Sequence, residues 1–464
     1  MVGVLTSELG RSSFCSTIVL SNRYHNSTNN DLLYWGLDYP PLTAYHSLLM
    51  GKVANLIDPA YVKLHESRGF ESHQHQFFMR MTVLISDSLI FVSALYMYVK
   101  WFGLSSRQKW VVFSLCCHPG LNLIDYGHFQ YNCVSLGLTL WSVVFLMRSW
   151  HLSAAVSFSL ALNFKQMELY HALPIFFYLL AYCHSYKTWL AKIVALTAVG
   201  STTVAVFLGV WIPFLWTDTD PLQVVRRIFP VNRGVFEDYV ANFWCALNVV
   251  VKIRNIFTTT VLGGLCMALT ALAALPSGLH LYFRPRFPTL LVSLTNASMA
   301  FFLFSYHVHE KSILLPALPV SLLIPYRPRA CIWFLCVAHF SMLPLYVSDG
   351  VVLPAAIVFL LYFILAFFSV GFNRRCNHWM RLAFSLSAGG STLLTLLSLT
   401  CTPPTSYPYL WTLLISLFSF GHFVAFFLYF LILQLCQDHT TPFHSLWMCL
   451  DHWITNTFFR TWDC

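Results

Sequence analysis

What most constrains this chain is its shortage of charge. Lys, Arg, Asp and Glu make up 10% of its 464 residues, where a soluble chain carries roughly a quarter. Most of the chain therefore cannot face water, and the three ordinary soluble domains that its length would allow are excluded. Apolar runs separated by short polar breaks lie at about 79–99, 110–125, 131–147, 152–163, 169–183, 193–216, 257–283, 288–305, 312–325, 330–347, 351–372, 382–400 and 408–434. With 57% apolar residues the chain can supply about thirteen helices of roughly 20 residues. The expected fold is an all-α polytopic membrane protein with about 13 transmembrane helices, the runs near 152 and 312 being short enough for broken or re-entrant helices.

The basic balance does not point to nucleic acid. The net charge of +9 is spread in ones, twos and threes between apolar runs rather than gathered on one face. Nor do the 14 cysteines form a disulfide framework, since most, such as Cys116, Cys117, Cys133, Cys331 and Cys336, lie in apolar runs without Cys-x-x-Cys spacing. Buried, inert thiols are the expectation, and no metal or cofactor is expected.

Short loops that hold Lys and Arg stay cytosolic. Alternate breaks carry Lys100, Arg107 and Lys109; Arg148; Lys187 and Lys192; Arg284 and Arg286; Arg327 and Arg329; and Arg374, Arg375 and Arg381. The intervening short breaks carry almost none. The long segment 217–256 holds Arg226, Arg227, Arg233, Lys252 and Arg254 on the other face, as long loops can. This divides the chain into a lumenal N-terminal segment 1–78, a multi-span domain 79–434 with a lumenal loop 217–256, and a cytosolic tail 435–464.

Polar breaks gather on the cation-poor face. They are Asp125-Tyr126-Gly127-His128-Phe129-Gln130-Tyr131-Asn132, Asn163 to His171, His307-Val308-His309-Glu310-Lys311 and, by parity, Tyr34-Trp35-Gly36-Leu37-Asp38-Tyr39-Pro40-Pro41. Such groups suit transfer of a sugar from a lipid phosphate. Phosphate leaves well, so the site needs cations and one carboxylate to take the proton of the attacking hydroxyl. His309, Lys311, Lys165 and the arginines of the long loop could cradle the phosphate, and Asp38, Asp125, Glu168 and Glu310 are the available carboxylates. The bland alternative is local ion pairing of Glu310 with Lys311 and of Lys165 with Glu168. Asp87, within a span, is expected to face the bundle and to pair there. Leu222 to Phe236 reads as an interfacial amphipathic helix, with Val224, Val225, Ile228 and Phe229 opposite Arg226, Arg227 and Arg233. Asn26-Ser27-Thr28 is an acceptor sequon, while Asn296-Ala297-Ser298 falls within a span and is expected to stay unused. There is no P-loop, Gly-x-Gly-x-x-Gly, His-Glu-x-x-His or Gly-x-Ser-x-Gly motif.

Specific stretches add a resemblance. YWGLDYPPLTAYHS from Tyr34, LHESRGFES from Leu64, IDYGHFQYN from Ile124, NFKQMELYHALP from Asn163, RRIFPVNRGVFEDYVANFWC from Arg226 and VHEKSILL from Val308 resemble the endoplasmic-reticulum glucosyltransferases that use dolichyl-phosphate-glucose. The resemblance runs in register from about residue 24 to 345 and favours the members that add the first glucose. It implies a GT-C-type, inverting, lumenal enzyme of the endoplasmic reticulum membrane that uses no nucleotide sugar. Such an enzyme moves glucose from dolichyl-phosphate-glucose onto the high-mannose arm of the dolichyl-diphosphate-linked oligosaccharide, in α-1,3 linkage. Asp38, His128, Gln130 and Glu168 are then expected to contact acceptor or donor, with His309 and Lys311 near the donor phosphate.

The family's opening span and its Gly-Asp-(Tyr/Phe)-Glu loop, whose aspartate is taken as the base, have no counterpart before Asp38, where the acids are Glu8 and Asp31. The chain is therefore expected to be N-terminally incomplete or altered, its activity is in question, and the catalytic base is unassigned. The alternatives are the sibling that adds the second glucose, an inactive truncated or misjoined homologue, and a transporter or lipid-handling protein. A transporter would line a path from face to face with polar groups, whereas here they gather on one side.

Overall fold

A computed structural model describes residues 24–26, 32, 36–63, 66–67, 69–70, 72–215, 220–229, 240–370 and 378–436. Tyr34 and Trp35, Arg233, Arg374 and Arg375, and the tail beyond Cys436 lie outside these residues. Among the described residues there is no strand. In hydrocarbon each backbone N–H and C=O must be satisfied within its own segment, which the helix does and an isolated strand does not.

The chain opens with α1 (Pro41–Ile57), α2 (His73–Trp101), α3 (Ser106–Cys116), α4 (Asn132–Met147) and α5 (His151–Phe164). It continues with α6 (Leu169–His184), α7 (Trp189–Leu215), α8 (Pro221–Ile228), α9 (Phe243–Val251), α10 (Thr259–Phe283) and α11 (Phe287–Phe304). After α12 (Leu314–Leu322), α13 (Pro328–Ser341) and α14 (Leu343–Ser348) come α15 (Val352–Val370), α16 (His378–Thr400) and α17 (Leu410–Leu435). Starts are set locally: Ser72 Oγ accepts from His75 N–H at 3.1 Å, Asp220 Oδ1 from Leu222 N–H at 3.0 Å, and Pro41, Pro221 and Pro328 occupy first-turn positions that need no N–H.

All thirteen apolar runs contain helix, but among the described residues seven helices are long and apolar enough to cross a membrane: α2, α7, α10, α11, most of α15, most of α16, and α17. Of the other six runs, 131–147, 152–163 and 169–183 form the continuous but shorter helices α4, α5 and α6, and three are broken. The run 110–125 ends α3 at Cys116 and resumes as a short turn at Pro119–Asn122 and a π-turn at Leu123–Gly127. The run 312–325 is split between a 3-10 turn (Glu310–Ile313) and the nine residues of α12, and 330–347 between α13 and α14. Prolines explain part of this, since Pro119 and Pro344 sit in the first turns of new helices rather than continue old ones.

The chain divides into two compact units, residues 1–104, 121–169 and 182–233 forming the first and 105–120, 170–181 and 234–464 the second. In the first, α4 and α5 pack as a hairpin in which Ser142 Oγ donates to the Ala154 carbonyl at 3.0 Å and Ser157 Oγ to the Leu138 carbonyl at 2.7 Å. Asp87, expected to face the bundle, is buried and accepts from Tyr126 OH at 3.1 Å. Gly137 stands directly against the backbone of Phe91, where a side chain would meet the Phe91 nitrogen at 2.8 Å. In the second unit, α10, α11 and α17 are tied by a buried polar knot. Gln434 Oε1 accepts from Ser277 Oγ at 2.6 Å and Asn296 Nδ2 at 2.8 Å, and Gln434 Nε2 donates to the Ser277 carbonyl at 2.9 Å. Asn296, the sequon expected to stay unused, is fully buried in this knot, whereas Asn26 is exposed.

Candidate active site

Three of the four polar breaks meet within the first unit. The Gly36–Pro40 strap lies on the corner between α5 and α6: Gln166 Nε2 donates to the main-chain oxygens of Asp38 at 3.3 Å and of Ile228 at 3.2 Å, and Thr43 Oγ1 donates to the Phe164 carbonyl. Beneath the strap, Tyr24, Leu37, Ala44, Phe214, Val224 and Ile228 form a small apolar core. Arg227 secures the strap from the other side, with Nε donating to the Leu37 carbonyl at 3.3 Å. Gly36 is required there, because a Cβ would collide with the Leu32 carbonyl oxygen and stand 2.6 Å from Arg227 Nη2.

One expectation for the long loop is revised in extent. The amphipathic helix is α8, which ends at Ile228, while 230–239 lie outside the described residues. Its apolar residues share one face as expected, of which Val224 and Ile228 are buried against protein while Val225 and Phe229 are exposed. Arg227 is engaged with the strap's backbone, its planar fork donating to the carbonyl oxygens of Leu37 and Leu32.

The third break approaches through Lys165. Its Nζ donates to Asn132 Oδ1 at 2.5 Å and to Gln130 Oε1 at 3.3 Å, and lies 5.6 Å from the centre of the Tyr39 ring. Asn132 in turn donates from Nδ2 to Asp125 Oδ1 at 2.7 Å. Asp125, 1% exposed, also accepts from the backbone N–H of Asn132 at 3.1 Å and of Cys133 at 2.7 Å, so it caps the start of α4. Asp125, Asn132 and Lys165 thus form a relay from a buried anion to a cation at a cleft wall. Phe129 makes the turn possible by adopting φ 61°, the left-handed region that non-glycine residues rarely occupy.

The cleft is lined by Tyr39, Thr43, His46, Ser47, Met50, Phe129, Gln130, Tyr131, Phe164 and Lys165. His46 sits edge-on to Tyr131 at 4.4 Å and to Phe164 at 5.6 Å. Its Nε2 is buried without a hydrogen-bond partner among the described residues. Burial pulls its imidazole down to about 4, so it is neutral at physiological pH. One cation amid aromatic faces and amide groups offers the contacts a phosphorylated sugar calls for, the ammonium for phosphate oxygen and the rings for the sugar face, around a cavity of about 40 Å³ that must widen to admit one.

Asp38 is half-buried, one residue from Tyr39, and His128 is half-buried in the turn before Phe129. Gln130 is buried and shares Lys165 with Asn132. Glu168 is fully enclosed, with Oε2 accepting from Thr139 Oγ1 at 2.7 Å. Of the four candidate carboxylates, Asp125 and Glu168 are thus shielded from an attacking hydroxyl, and Asp38 and Glu310 keep partial exposure. His309 and Lys311 belong to the second unit. There His309 precedes the 3-10 turn that enters α12, and its backbone N–H donates to Ser312 Oγ at 3.3 Å. Among the described residues, no group of three or more His, Cys, Asp or Glu is placed to hold a metal ion. His46 and Asn132 were not singled out from sequence. A histidine inside an ordinary amphipathic helix carries no spacing signal, and the partner of Asn132 is 33 residues away.

Comparison with known proteins agrees with this architecture. The chain is 44% identical over 434 residues to the Mus musculus dolichyl pyrophosphate Man9GlcNAc2 alpha-1,3-glucosyltransferase, covering 88% of this chain and 85% of that protein. It is 44% identical over 411 residues to a probable Drosophila melanogaster protein of the same name, covering 88% and 86%. The probable Arabidopsis thaliana counterpart is 38% identical over 434 residues, covering 88% and 79%. The model of the ALG6, ALG8 glycosyltransferase family matches residues 17–429, and on that extent this multi-span helical chain belongs to the ALG6, ALG8 glycosyltransferase family.

Proposed function

We propose that the chain transfers glucose from dolichyl-phosphate-glucose to the dolichyl-diphosphate-linked Man9GlcNAc2 oligosaccharide, forming the first α-1,3-glucose linkage. The acceptor follows from the names of its relatives, and the donor from the cleft chemistry and the resemblance of its motifs. The observation that carries the reading is the relayed cation. Lys165 is held at 2.5 Å by Asn132, beside Tyr39 and the half-buried Asp38, at a corner built from three polar breaks. In the reaction an acceptor hydroxyl attacks the anomeric carbon and gives its proton to a carboxylate, while the bond from that carbon to the phosphate oxygen breaks and dolichyl phosphate departs. Lys165 stabilises the charge that grows on the phosphate, and Gln130 and the aromatic walls orient the sugar. In the second unit, His309 and Lys311 are separate candidates for contact with lipid phosphate. Together with the seven long helices, the shorter α3, α4, α5, α6, α12 and α13 would make about thirteen crossings in the endoplasmic reticulum membrane.

The test is transfer from radiolabelled dolichyl-phosphate-glucose by the full chain reconstituted in vesicles. Glucosylation of the unglucosylated Man9GlcNAc2 lipid supports the reading. Activity confined to the monoglucosylated acceptor transfers the chain to the second-glucose reaction, and activity with neither refutes the proposal.

A further inference from the structure

Helix α1 brings Thr43, His46, Ser47 and Met50 to the cleft, a spacing that puts them on a single helical stripe. The first three are polar, on a side of the helix that meets protein rather than open water. Thr43 donates its hydroxyl to the Phe164 carbonyl. His46 and Ser47 make no such bond: among the described residues neither has a hydrogen-bond partner, and His46 Nε2 is buried. The imidazole is nonetheless held in place, edge-on to the rings of Tyr131 and Phe164. A polar group enclosed without a partner is costly, and two side by side on a cleft wall are accounted for by a ligand that bonds both.

Their chemistry selects that ligand. A neutral imidazole has one N–H and one lone pair, and a serine hydroxyl both donates and accepts. A sugar hydroxyl matches either group in either direction, whereas a phosphate oxygen only accepts and an isoprenoid tail does neither. Burial keeps the His46 ring uncharged at physiological pH, so the cation that meets phosphate in this cleft is Lys165. The described lining residues include no Asp or Glu to repel a phosphate. Lys165 and the α1 stripe thus offer a phosphate and a sugar adjacent places in one narrow cleft. That matches the donor, whose sugar is joined directly to its phosphate. In the acceptor an oligosaccharide separates the terminal sugars from the diphosphate.

We propose that His46 and Ser47 bind hydroxyls of the donor's glucosyl group while Lys165 holds its phosphate, as the cleft widens to admit them. Resting on the glucosyl-transfer reading, this makes α1 the element that distinguishes a glucosylated lipid phosphate from the bare lipid phosphate left after transfer, and so favours exchange of product for fresh donor.

The full chain, purified in mild detergent, is titrated calorimetrically with a water-soluble short-chain polyprenyl phosphate and with its glucosyl ester. The parent should bind the glucosyl ester more tightly. His46→Phe, which keeps a ring between Tyr131 and Phe164, and Ser47→Ala should each weaken the glucosyl ester about 3- to 10-fold and leave the bare phosphate unchanged. His46→Gln, able to donate and accept, should recover most of the loss, while Lys165→Met should weaken both ligands. Equal binding of the two ligands by the parent, losses in His46→Phe and Ser47→Ala that fall on both ligands or on neither, or a loss confined to free Man9GlcNAc2 glycan would each overturn the proposal. The vesicle transfer assay separates the two readings. A parent that shows this discrimination yet transfers no glucose loses the reaction and keeps the sugar subsite, whereas one that transfers glucose without it loses the subsite alone.

Discussion

Replacing Asn132 by leucine cuts the relay at its middle while keeping the branched outline of the side chain. The change removes the 2.5 Å bond to Lys165 Nζ and the 2.7 Å bond to Asp125 Oδ1. Asp125 keeps the backbone N–H groups of residues 132 and 133 at 3.1 and 2.7 Å, so the start of α4 retains its cap. Lys165 keeps only Gln130 at 3.3 Å and the Tyr39 ring at 5.6 Å among these contacts. A hydrogen bond to a charged group is worth about 1.5–3 kcal/mol. If its role is to hold the ammonium against the donor phosphate, kcat/KM for glucosyl transfer should fall about 10- to 100-fold. Lys165→Met should cost a similar factor. Because both changes act on one cation, the double variant should be little worse than either alone, with a coupling energy of about 1–2 kcal/mol. Initial rates with dolichyl-phosphate-glucose in proteoliposomes, alongside size-exclusion profiles to control for folding, measure all four corners of the cycle. Losses that add, or an Asn132→Leu enzyme as fast as the parent, would refute the relay.

Other expectations follow from the same geometry. His46 falls from 6.5 to about 4 on folding, so the folded chain binds fewer protons than the unfolded one. The stability this contributes is complete above pH 6.5 and is lost as pH falls toward about 4. The loss should be about 2 kcal/mol between pH 7.5 and 5, and His46→Phe should flatten the thermal-unfolding profile over that window. Gly36→Ala should abolish transfer with helix content unchanged by circular dichroism, since its Cβ would strike the Leu32 carbonyl and the Arg227 fork that hold the strap. Gln434→Leu should lower the stability of the full chain by about 1–2 kcal/mol, measured by thermal unfolding in detergent, because it strips the acceptor from Ser277 and Asn296.

The helical, multi-span character could be read from the sequence because apolar runs and scarce charge leave few other structures. The same runs conceal where a helix breaks: the π-turns at 87–92 and 123–127 and the split at Cys116–Pro119 depend on packing and local hydrogen bonds rather than hydropathy. At the site, the breaks containing Asp38, Gln130 and Lys165 were visible as polar interruptions, but their roles were not. Asp125 looks like any available carboxylate until its oxygens are found capping α4. Arg227 looks like any loop cation until its fork is found on Leu37. Both are settled by partners that are distant in sequence or set by three-dimensional placement, and a single chain read residue by residue contains no record of such partners.

Sidedness is the most direct test of whether the polar breaks form a lumenal chemical site. In a chain freed of its native cysteines, His128→Cys and Arg284→Cys would be probed in sealed microsomes with a membrane-impermeant maleimide. The account predicts that the Arg284 position reacts at once and the His128 position only after the membrane is permeabilised. Reaction of both positions in sealed vesicles would place the break containing Gln130 and Asn132 on the cytosolic face and contradict it.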